Sequence, residues 1–346
     1  MKIIIDAMGG DHAPEQIVVG ALQSAKEFNV QIVLVGRGEE ILDSMRKNGW
    51  ETLPDGVEIA NAEDVVEMHD DPAQVVHQHR GSSMVLGLKM LADGQGDAFI
   101  SAGNTGALLT AATLLVKRIR GIRRAALAPV IPLGNRSILI DAGANVTCTP
   151  EFLLQFGCMG SLYAQYALKK TNPRVGLLNN GTEESKGDDL RKEAFRLLKN
   201  AGDQGIINFI GNVEAREAVG GDVDVIVADG YSGNIFLKSI EGTAKYMSGQ
   251  LSKMFRKNLI TKLGALCCMK GINGIKASMD YRNIGGSVIV GISKPVIKAH
   301  GSSDALGIRG AIRQAINVVD SGFCQAIKEN VTKLTLPREE NDADKA

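Results

Sequence analysis

Short runs rich in Ile and Val alternate with helical patterns along most of this chain, and this alternation restricts the fold more than any other feature of the sequence. The runs have the length of strands and mostly lack the polar–apolar alternation of half-exposed strands. Strands of this kind are covered on both faces, as in a parallel sheet between two helical layers. We predict strands at Lys2–Ile5, Gln31–Val35, Val57–Ala60, Asp97–Ile100, Ser137–Ile140, Arg174–Leu178, Ile206–Ile210, Val223–Val227 and Pro295–Lys298.

The segments between these runs are predicted to be helices. Gln16–Phe28 and Gly106–Ile119 each place their apolar residues on one face of a helix. The stretch Ile235–Ile284 has a helical pattern without a strand, so we expect it to leave the sheet. The sequence therefore predicts a doubly wound, three-layer α/β/α fold with a mainly parallel sheet.

Composition and charge exclude several classes of protein. Lys+Arg and Asp+Glu number 39 each, so the bulk charge does not favour nucleic acid as a partner. The five cysteines form no C-x-x-C pair, which favours a reduced, cytoplasmic protein. The N-terminal apolar run ends at Asp6, which is too short for a signal peptide, and no run is long enough to span a bilayer. We expect one α/β domain over residues 1–336, with a helical excursion at 235–285 and a polar, disordered tail at 337–346.

Polar, glycine-rich turns follow the predicted strands at the edge where open α/β sheets bind ligands. The first turn, residues 6–14, holds Gly9 and Gly10 between Asp6 and Asp11. The glycines allow a close approach of the backbone. Asp11 contributes to a site, caps the next helix, or does both.

The turn at 101–107, SAGNTGA, precedes a predicted helix. Ser101, Asn104 and Thr105 offer side-chain donors. The N–H groups from Gly106 onward lie at the positive end of the helix dipole. We favour anion binding over an ordinary strand-to-helix turn here.

Two further turns belong to the C-terminal half of the chain. Asp141 and Asn145, in DAGANV, are predicted to orient neighbouring loops. In ADGYSGNIFLK, the side chains of Asp229, Ser232 and Asn234 form a second candidate anion site with the N-terminus of the next helix.

The turn at 177–187, LLNNGTEESKG, is the densest in hydrogen-bonding groups. Asn179, Asn180 and Thr182 are neutral partners, and Lys186 is its cation. A turn of this composition can hold an oxyanion such as phosphate. Lys186 either binds that oxyanion or is a solvated lysine on the surface. His300 follows the last predicted strand beside two serines, and it is either a structural residue or part of the site.

Several catalytic motifs are absent from the sequence. It has no G-x-S-x-G elbow, no Walker loop and no G-x-G-x-x-G fingerprint, and no carboxylate-rich metal loop. We therefore expect no metal and no cofactor, and we disfavour a dehydrogenase. The turns favour binding and orienting an anion over forming a covalent enzyme intermediate.

Taken in order, these turns resemble those of the PlsX family, the phosphate acyltransferases of bacterial phospholipid synthesis, and the resemblance covers nearly the whole chain. The matching segments are DAMGGDHAP (6–14), DDPAQVV (70–76), SSM (82–84), SAGNTGALL (101–109), DAGANV (141–146), LLNNGTEESKG (177–187), GNVEAR (211–216), ADGYSGNIFLK (228–238) and VIKAHGSSD (296–304). The sequence departs from the family pattern at HQHRG (77–81), GIRRAA (121–126) and YRNIGGSVIVG (281–291).

The resemblance implies a fold like that of phosphotransacetylases and isocitrate-type dehydrogenases, and a homodimer. It implies transfer of a long acyl chain from acyl carrier protein to inorganic phosphate. The acyl phosphate would then pass to a membrane acyltransferase that acts on glycerol 3-phosphate. A cytoplasmic enzyme that associates peripherally with the membrane is expected, with no nucleic acid as partner.

For this reaction, phosphate must be held and aimed rather than activated, because it is already anionic near neutral pH. We predict Lys186 as the cation on phosphate, with neutral hydrogen bonds from the Asn179, Asn180 and Thr182 side chains. The turn that begins at Ser101 takes either the phosphate or the thioester oxyanion. His300 would donate a hydrogen bond or protonate the departing thiolate.

Two surface segments are candidate partner sites. The segment KRIRGIRR is predicted to dock the acidic carrier protein, the alternative being the polar C-terminal end of a helix; its cations are Lys117, Arg118, Arg120, Arg123 and Arg124. The segment 258–272 is predicted to lie on a membrane, the alternative being a buried dimer helix pair. Its apolar residues are Leu259, Ile260, Leu263, Leu266 and Met269.

Two other functions remain open from the sequence. A phosphotransacetylase acting on short-chain coenzyme A thioesters shares the fold but does not need the apolar segment at 258–272. A non-catalytic scaffold on the membrane surface would use that segment but does not need polar turns clustered at strand ends.

Overall fold

The computed structural model describes residues 1–131, 136–279 and 285–334. The predicted tail at 337–346 and the last residues of the predicted excursion, 280–284, lie outside this range. Within it, the strands form two sheets, joined by an antiparallel bridge between Val130 and Ile138. The single sheet implied by the sequence pattern is therefore divided in two.

The first sheet has seven strands in the order β3-β2-β1-β4-β11-β10-β5. Neighbours from β3 to β11 are parallel, and β10 is antiparallel to both of its neighbours. The strands are β1 (Lys2–Asp6), β2 (Gln31–Gly36), β3 (Val57–Asn61), β4 (Ala98–Ser101), β5 (Ala126–Ala128), β10 (Ser287–Val290) and β11 (Val296–Lys298).

The second sheet has four parallel strands in the order β6-β9-β7-β8. They are β6 (Ile138–Ile140), β7 (Arg174–Leu178), β8 (Asn208–Val213) and β9 (Val225–Val227). The predicted mainly parallel α/β architecture is thus confirmed.

Helices follow most of the strands. They are α1 (Glu15–Phe28), α2 (Gly38–Lys47), α3 (Val75–Gln78), α4 (Ser83–Ala92), α5 (Thr105–Ala111), α6 (Pro150–Tyr166), α7 (Asp189–Asp203), α8 (Ala215–Gly220), α9 (Gly230–Arg256), α10 (Leu259–Met279), α11 (Ala305–Asp320) and α12 (Phe323–Asn330). A π-helical turn, Ala112–Val116, continues α5. None of the described helices is both long enough and apolar enough to cross a bilayer.

The packing of the core explains why polar and apolar residues do not alternate along the strands. Along β1, Ile3 and Ile5 pack with α1 and α11, whereas Ile4 packs with α4 and α5 on the opposite face. The first of these clusters continues beneath the second sheet, where Val225 and Val227 meet α6 and α7. One continuous core therefore fixes the two sheets relative to each other.

The bounds of two predicted strands were wrong by two or more residues. The strand predicted from Val223 begins at Val225, and the Asp224 carboxylate just before it accepts hydrogen bonds from the Lys170 and Arg174 side chains. The strand predicted at Ile206–Ile210 is β8, which runs on to Val213 beside β7. Two short strands, β5 and β10, were not predicted.

The helix predicted at Gly106–Ile119 ends earlier than its apolar pattern suggests. Its last helical residue is Val116, and Lys117 has a φ of 72°, outside the helical region. The basic segment at 117–124 is therefore not the end of a helix, and that alternative is wrong.

Candidate active site

Three neighbouring parallel strands of the first sheet end in a row of polar residues. In the ladder, Ile5 of β1 pairs with Ile100 of β4, and Ser101 pairs with Lys298 of β11. Asp6, Ser101 and Lys298 therefore stand side by side on the face covered by α4. All three are buried. Ser101 and Asp6 were predicted as site residues, whereas Lys298 was not.

The Asp6 carboxylate ties together three elements. It accepts hydrogen bonds from the Ser83 hydroxyl (2.6 Å) at the start of α4 and from the Ser101 hydroxyl (2.7 Å). The Met8 backbone N–H donates a third bond. Burial nevertheless raises the pKa of Asp6, against the effect of these hydrogen bonds. Asp6 is thus a fixed acceptor that organises the site from within.

The turn after β1 lies directly against its neighbours because of its glycines. A Cβ on Gly9 would come within 2.6 Å of an Asp6 oxygen and 2.8 Å of the Gly103 nitrogen. Gly10 has a φ of 110°, and a Cβ there would meet the Gly301 carbonyl oxygen at 3.0 Å. These contacts bear out the close backbone approach expected from the sequence.

Asp11 does not cap the helix that follows it. The residue before α1 is Pro14, and no side chain caps that helix. Instead the Asp11 backbone N–H donates to the Gly301 carbonyl (2.8 Å), which joins the turns after β1 and β11. The capping alternative for Asp11 is therefore wrong.

Asn104 is not available as a donor to a ligand. Its side-chain oxygen accepts from the Ala107 backbone N–H as the N-cap of α5. Its amide nitrogen donates to backbone carbonyls of the loop before α3, including those of Met68 and Asp70. The prediction of a free donor here was wrong. Thr105 and Gly106 start α5, and Pro72 of the same loop fills the space beside Gly106.

In the second sheet, Asp141 organises the turn that follows β6. Its carboxylate accepts from the backbone N–H groups of Leu127, Ala144 and Asn145, and from the Asn145 side chain. Burial raises the pKa of Asp141 even so. The geometry agrees with the loop-orienting role predicted for Asp141 and Asn145.

The start of α9 packs against that turn. The Gly230 backbone N–H donates to the Asn145 carbonyl (2.8 Å). A Cβ on Gly233 would lie only 2.0 Å from the Asp141 carbonyl oxygen. Asn234, which is exposed, lies beside Gly143.

Asp229 and Ser232 form a network that includes an unpredicted arginine. The Asp229 carboxylate caps α9 by accepting from the Ser232 backbone N–H (2.9 Å). Arg191 of α7 donates to the Asp229 carboxylate and to the Ser232 hydroxyl, and it also pairs with Asp188. The predicted anion site at this turn is therefore already occupied by a charge network.

The turn at 179–187 is held beside this network. Asn179 is buried, and its amide donates to the Lys186 carbonyl (3.2 Å). Gly187 packs between the Asn179 and Arg191 side chains. The side-chain stem of Lys186 folds over Gly181 while the residue as a whole remains exposed. Asn180 and Thr182 are exposed as well.

The polar turns form two groups: the first follows β1, β4 and β11 of the first sheet, and the second follows β6, β7 and β9 of the second sheet. Helix α9 connects the two groups. It begins at the Asp229 network, and two of its charged residues, Lys238 and Glu241, lie close enough to His300, after β11, to influence its pKa. Asp229 and Lys238 are nine residues apart, and a helix rises by about 1.5 Å per residue, so roughly 13 Å of α9 separates the Asp229 network from Lys238. The site is thus elongated.

His300 lies at the junction of these elements. Burial lowers its pKa, so the neutral imidazole is favoured near pH 7. The Ser302 backbone N–H donates to Nδ1, which places the ring proton of the neutral form on Nε2. The ring is therefore better suited to donate a hydrogen bond than to supply a proton.

The basic segment at 117–124 borders the second group of turns. Its five predicted cations are all exposed. Ile119 and Ile122 anchor it in the core, and the next residue, Ala125, accepts a hydrogen bond from the Asn145 side chain (2.8 Å). Cys148 also lies here, and burial raises its pKa to about 11, which disfavours a nucleophilic thiolate.

The chain matches known proteins over almost its whole length. The family model described as "Fatty acid synthesis protein" matches residues 1–326. A phosphate acyltransferase of Thermoanaerobacter pseudethanolicus is 45% identical over 96% of this chain and 98% of its own. One of Oceanobacillus iheyensis is 43% identical over 98% of this chain and 100% of its own.

The fold is also found among solved structures. A phosphotransacetylase from Streptococcus pyogenes superposes with a TM-score of 0.63 at 17% identity, covering 92% of this chain and 94% of its own. The fold is thus that of the phosphotransacetylase-like α/β proteins. The chain belongs to the fatty acid synthesis protein family, the PlsX family that its motifs resemble.

Proposed function

We propose that this protein is an enzyme that transfers a long-chain fatty acyl group from acyl carrier protein to inorganic phosphate. The family and the relatives named phosphate acyltransferases support acyl transfer to phosphate. The carrier protein as donor, the long chain and the membrane association are the further parts of the proposal.

The observation that carries the proposal is the elongated arrangement of two groups of turns along α9. Roughly 13 Å of helix separates Asp229, beside the turns of the second sheet, from Lys238, whose charge acts on His300 after β11, which leaves room for two reactants along α9. A phosphate ion held at one group and a thioester held at the other can lie between them and meet. Proximity of this kind provides much of the rate acceleration when neither reactant needs strong activation.

In the reaction, an oxygen of monohydrogen phosphate attacks the thioester carbon and the C–S bond breaks. The proton of the phosphate ends on the released thiol, so charge and atoms balance without a cofactor. We assign Lys186 and the turn at 179–187 to phosphate, because this turn carries a cation whose charge is not held in an ion pair among the described residues. His300 donates a hydrogen bond through Nε2.

The direct test is to incubate the purified protein with palmitoyl-carrier protein and labelled orthophosphate and to look for labelled acyl phosphate. Acetyl-coenzyme A is assayed in parallel, because the Streptococcus pyogenes structure makes a short-chain phosphotransacetylase the leading alternative. Product from acetyl-coenzyme A alone would establish that alternative. If neither donor gave acyl phosphate, the non-catalytic scaffold would be the remaining alternative.

The basic segment at 117–124 is our proposed docking surface for the carrier protein. It presents exposed cations directly beside the turn at 141–146, and opposite charge speeds association with an acidic partner. We expect the double variant Arg120→Glu, Arg123→Glu to raise the KM for acyl carrier protein about tenfold at low salt and to flatten its salt dependence. Steady-state kinetics at two salt concentrations measure this.

The matched control for this prediction is Arg46→Glu. Arg46 is an exposed arginine on α2, which packs at the β2–β3 end of the first sheet, opposite to β5. An equal effect of both reversals would show a general charge effect and contradict docking at the basic segment.

The helical tip formed by α9 and α10 is our proposed membrane contact. Leu259 and Ile260 are 76% and 81% exposed, and Leu263 and Leu266 are each 63% exposed. Met269 is 43% exposed. The alternative, a buried pair of dimer helices, would require a second copy to cover them. An apolar surface with interleaved lysines is typical of helices that lie on anionic bilayers.

We expect the variant Leu263→Glu, Leu266→Glu to lose at least tenfold in binding to anionic vesicles, because two charges would enter the lipid interface. Flotation with phosphatidylglycerol vesicles measures this. Leu114→Glu, at another exposed leucine (53%), is the control. Undiminished flotation of the double variant, or equal loss in the control, would contradict the membrane contact.

The remaining partners follow from this arrangement. We propose a homodimer, with the exposed apolar row of α9 at Tyr246, Met247, Leu251 and Met254 as the surface for a second copy. The acyl phosphate would be handed to a membrane glycerol-3-phosphate acyltransferase, and the protein would reside in the cytoplasm at the membrane surface.

A further inference from the structure

Lys298 is a buried lysine at the end of β11, and the mechanism above does not use it. It is 7% exposed. Its ammonium group donates to the carbonyl of Ala102, in the turn after β4 (3.1 Å), and to the carbonyl of Ala299, in the turn after β11. Burying an ammonium group costs free energy unless hydrogen bonds or an opposite charge compensate it.

The two carbonyls accept from only two of the three N–H groups of the ammonium. An ammonium has three N–H donors, and in the part of the chain that the structure describes only two of them have acceptors. Since the four bonds of the nitrogen are tetrahedral, fixing two N–H groups also fixes the direction of the third. Lys298 therefore presents one oriented N–H where the turns of the first sheet converge.

The charged groups around Lys298 come from three directions. Asp6 from β1 and Asp11 from the turn after it favour the charged form, and Lys238 from α9 opposes it. On the same strand end, His300 interacts with Lys298 and with Glu241. Burial outweighs the two carboxylates and lowers the pKa of Lys298 to about 8.

We propose that Lys298 is a catalytic residue of the acyl transfer, and that its third N–H donates to the thioester oxygen as that oxygen becomes an oxyanion. This inference rests on the proposed function. The phosphate is assigned to the turn at 179–187, so the group of turns at Lys298 is left for the thioester. A donor that is already fixed in direction stabilises an oxyanion without reorganisation, which is the property such sites need.

The chemistry of this step needs no additional reactant. The phosphate oxygen forms a bond to the thioester carbon, and the electron pair of the C=O bond moves to the oxygen, which Lys298 stabilises. When the C=O bond re-forms, the electron pair of the C–S bond leaves with sulfur. The proton that the thiolate takes up is the one that the phosphate releases.

The test compares Lys298→Met with Lys294→Met. Lys294 precedes β11, and its ammonium also donates to two backbone carbonyls, those of Leu91 and Ala92, but at the opposite end of the strand. We expect Lys298→Met to lower kcat about a hundredfold with the KM for phosphate unchanged, and Lys294→Met to leave both unchanged. Thermal unfolding shows whether both variants are folded.

A second measurement does not depend on the methionine variant folding. In the wild-type enzyme, kcat should fall as the pH rises through about 8, because the neutral amine has no third N–H. Lys298→Arg keeps its charge at that pH, so the alkaline fall should disappear in it.

Protein stability should move in the opposite direction over the same pH range. Lys298 has a lower pKa in the folded chain than in the unfolded chain, so between about pH 8 and the ordinary lysine pKa of 10.5 the unfolded chain binds more protons. The free energy of unfolding should therefore rise with pH relative to Lys298→Met. Deprotonation of Lys298 therefore does not unfold the protein, and an alkaline loss of activity cannot be attributed to unfolding by this residue.

The outcomes separate this inference from the proposed function. If the wild-type enzyme forms no acyl phosphate, the proposed function fails. If it does, and folded Lys298→Met retains its kcat, or the KM for phosphate alone rises, Lys298 does not stabilise the oxyanion. A wild-type kcat that stays constant from pH 7 to pH 9.5 would overturn the inference even if no variant folds.

Discussion

Replacing Gly233 by Ala is expected to destabilise the protein by about 3 kcal/mol or more, although alanine is the better helix former. Gly233 lies in the first turn of α9, where a Cβ would be 2.0 Å from the Asp141 carbonyl oxygen. Both groups belong to backbone that is fixed elsewhere, since Asp141 is held by its own network of hydrogen bonds. Helix α9 would have to move away from β6, and the second group of turns would be lost.

Gly242 provides the control on the same helix. It is exposed, and no atom lies within 4 Å of the position of its Cβ. Gly242→Ala should therefore stabilise the protein by up to about 1 kcal/mol through helix propensity alone. Urea unfolding of both variants measures the difference. Equal stability of the two would show that α9 does not depend on close contact with Asp141.

The sequence predicted the architecture well because burial on both faces leaves a strong signal. The strands β1, β2 and β7 were predicted within one residue of their observed ends. Strands such as β5, with the sequence Ala-Leu-Ala, have no such signal, because they are defined by pairing with β10, which is distant in sequence. The division into two sheets depends on pairings of this kind, which a linear pattern does not contain.

The structure also places the predicted polar turns after β1, β4 and β11 side by side at the strand ends, the edge at which a parallel sheet binds ligands. The roles of individual residues were harder to predict from the sequence. The sequence pattern predicts Asn104 as a free donor, but its amide donates hydrogen bonds to a loop more than thirty residues earlier in the chain. Arg191 lies inside an ordinary amphipathic helix, and only the fold brings it to Asp229.

Lys298 shows what a closer reading of the sequence could have found. It is a lysine in an otherwise buried strand pattern, Val-Ile-Lys, immediately before a polar turn. Lysines are rarely buried without a function or a partner, so a charge at the last position of such a strand is itself a signal. The sequence alone does not show which carbonyls accept from it.

Neutralising Lys186 is expected to reduce kcat/KM for phosphate about a hundredfold, the effect of losing a contact with a charged oxygen in the transition state. Lys186 lies at the end of the turn at 179–187, next to Gly187 and the Arg191 network. Arg191 is neutralised by Asp188 and Asp229, and for this reason we propose that Lys186 supplies the charge that holds phosphate. A raised KM for phosphate is expected, in contrast to the unchanged KM expected for Lys298→Met.

Two substitutions at Lys186 separate charge from packing. The stem of Lys186 covers Gly181, where a Cβ would be 2.8 Å from the Lys186 Cγ. Lys186→Met keeps an apolar stem over Gly181 and removes the charge, whereas Lys186→Ala removes both. If the charge binds phosphate, both variants lose activity to a similar extent, and Lys192→Ala, at an exposed lysine of α7, has no effect. If Lys186→Met retains the wild-type dependence on phosphate concentration, Lys186 serves only to order the turn, and the phosphate site lies elsewhere.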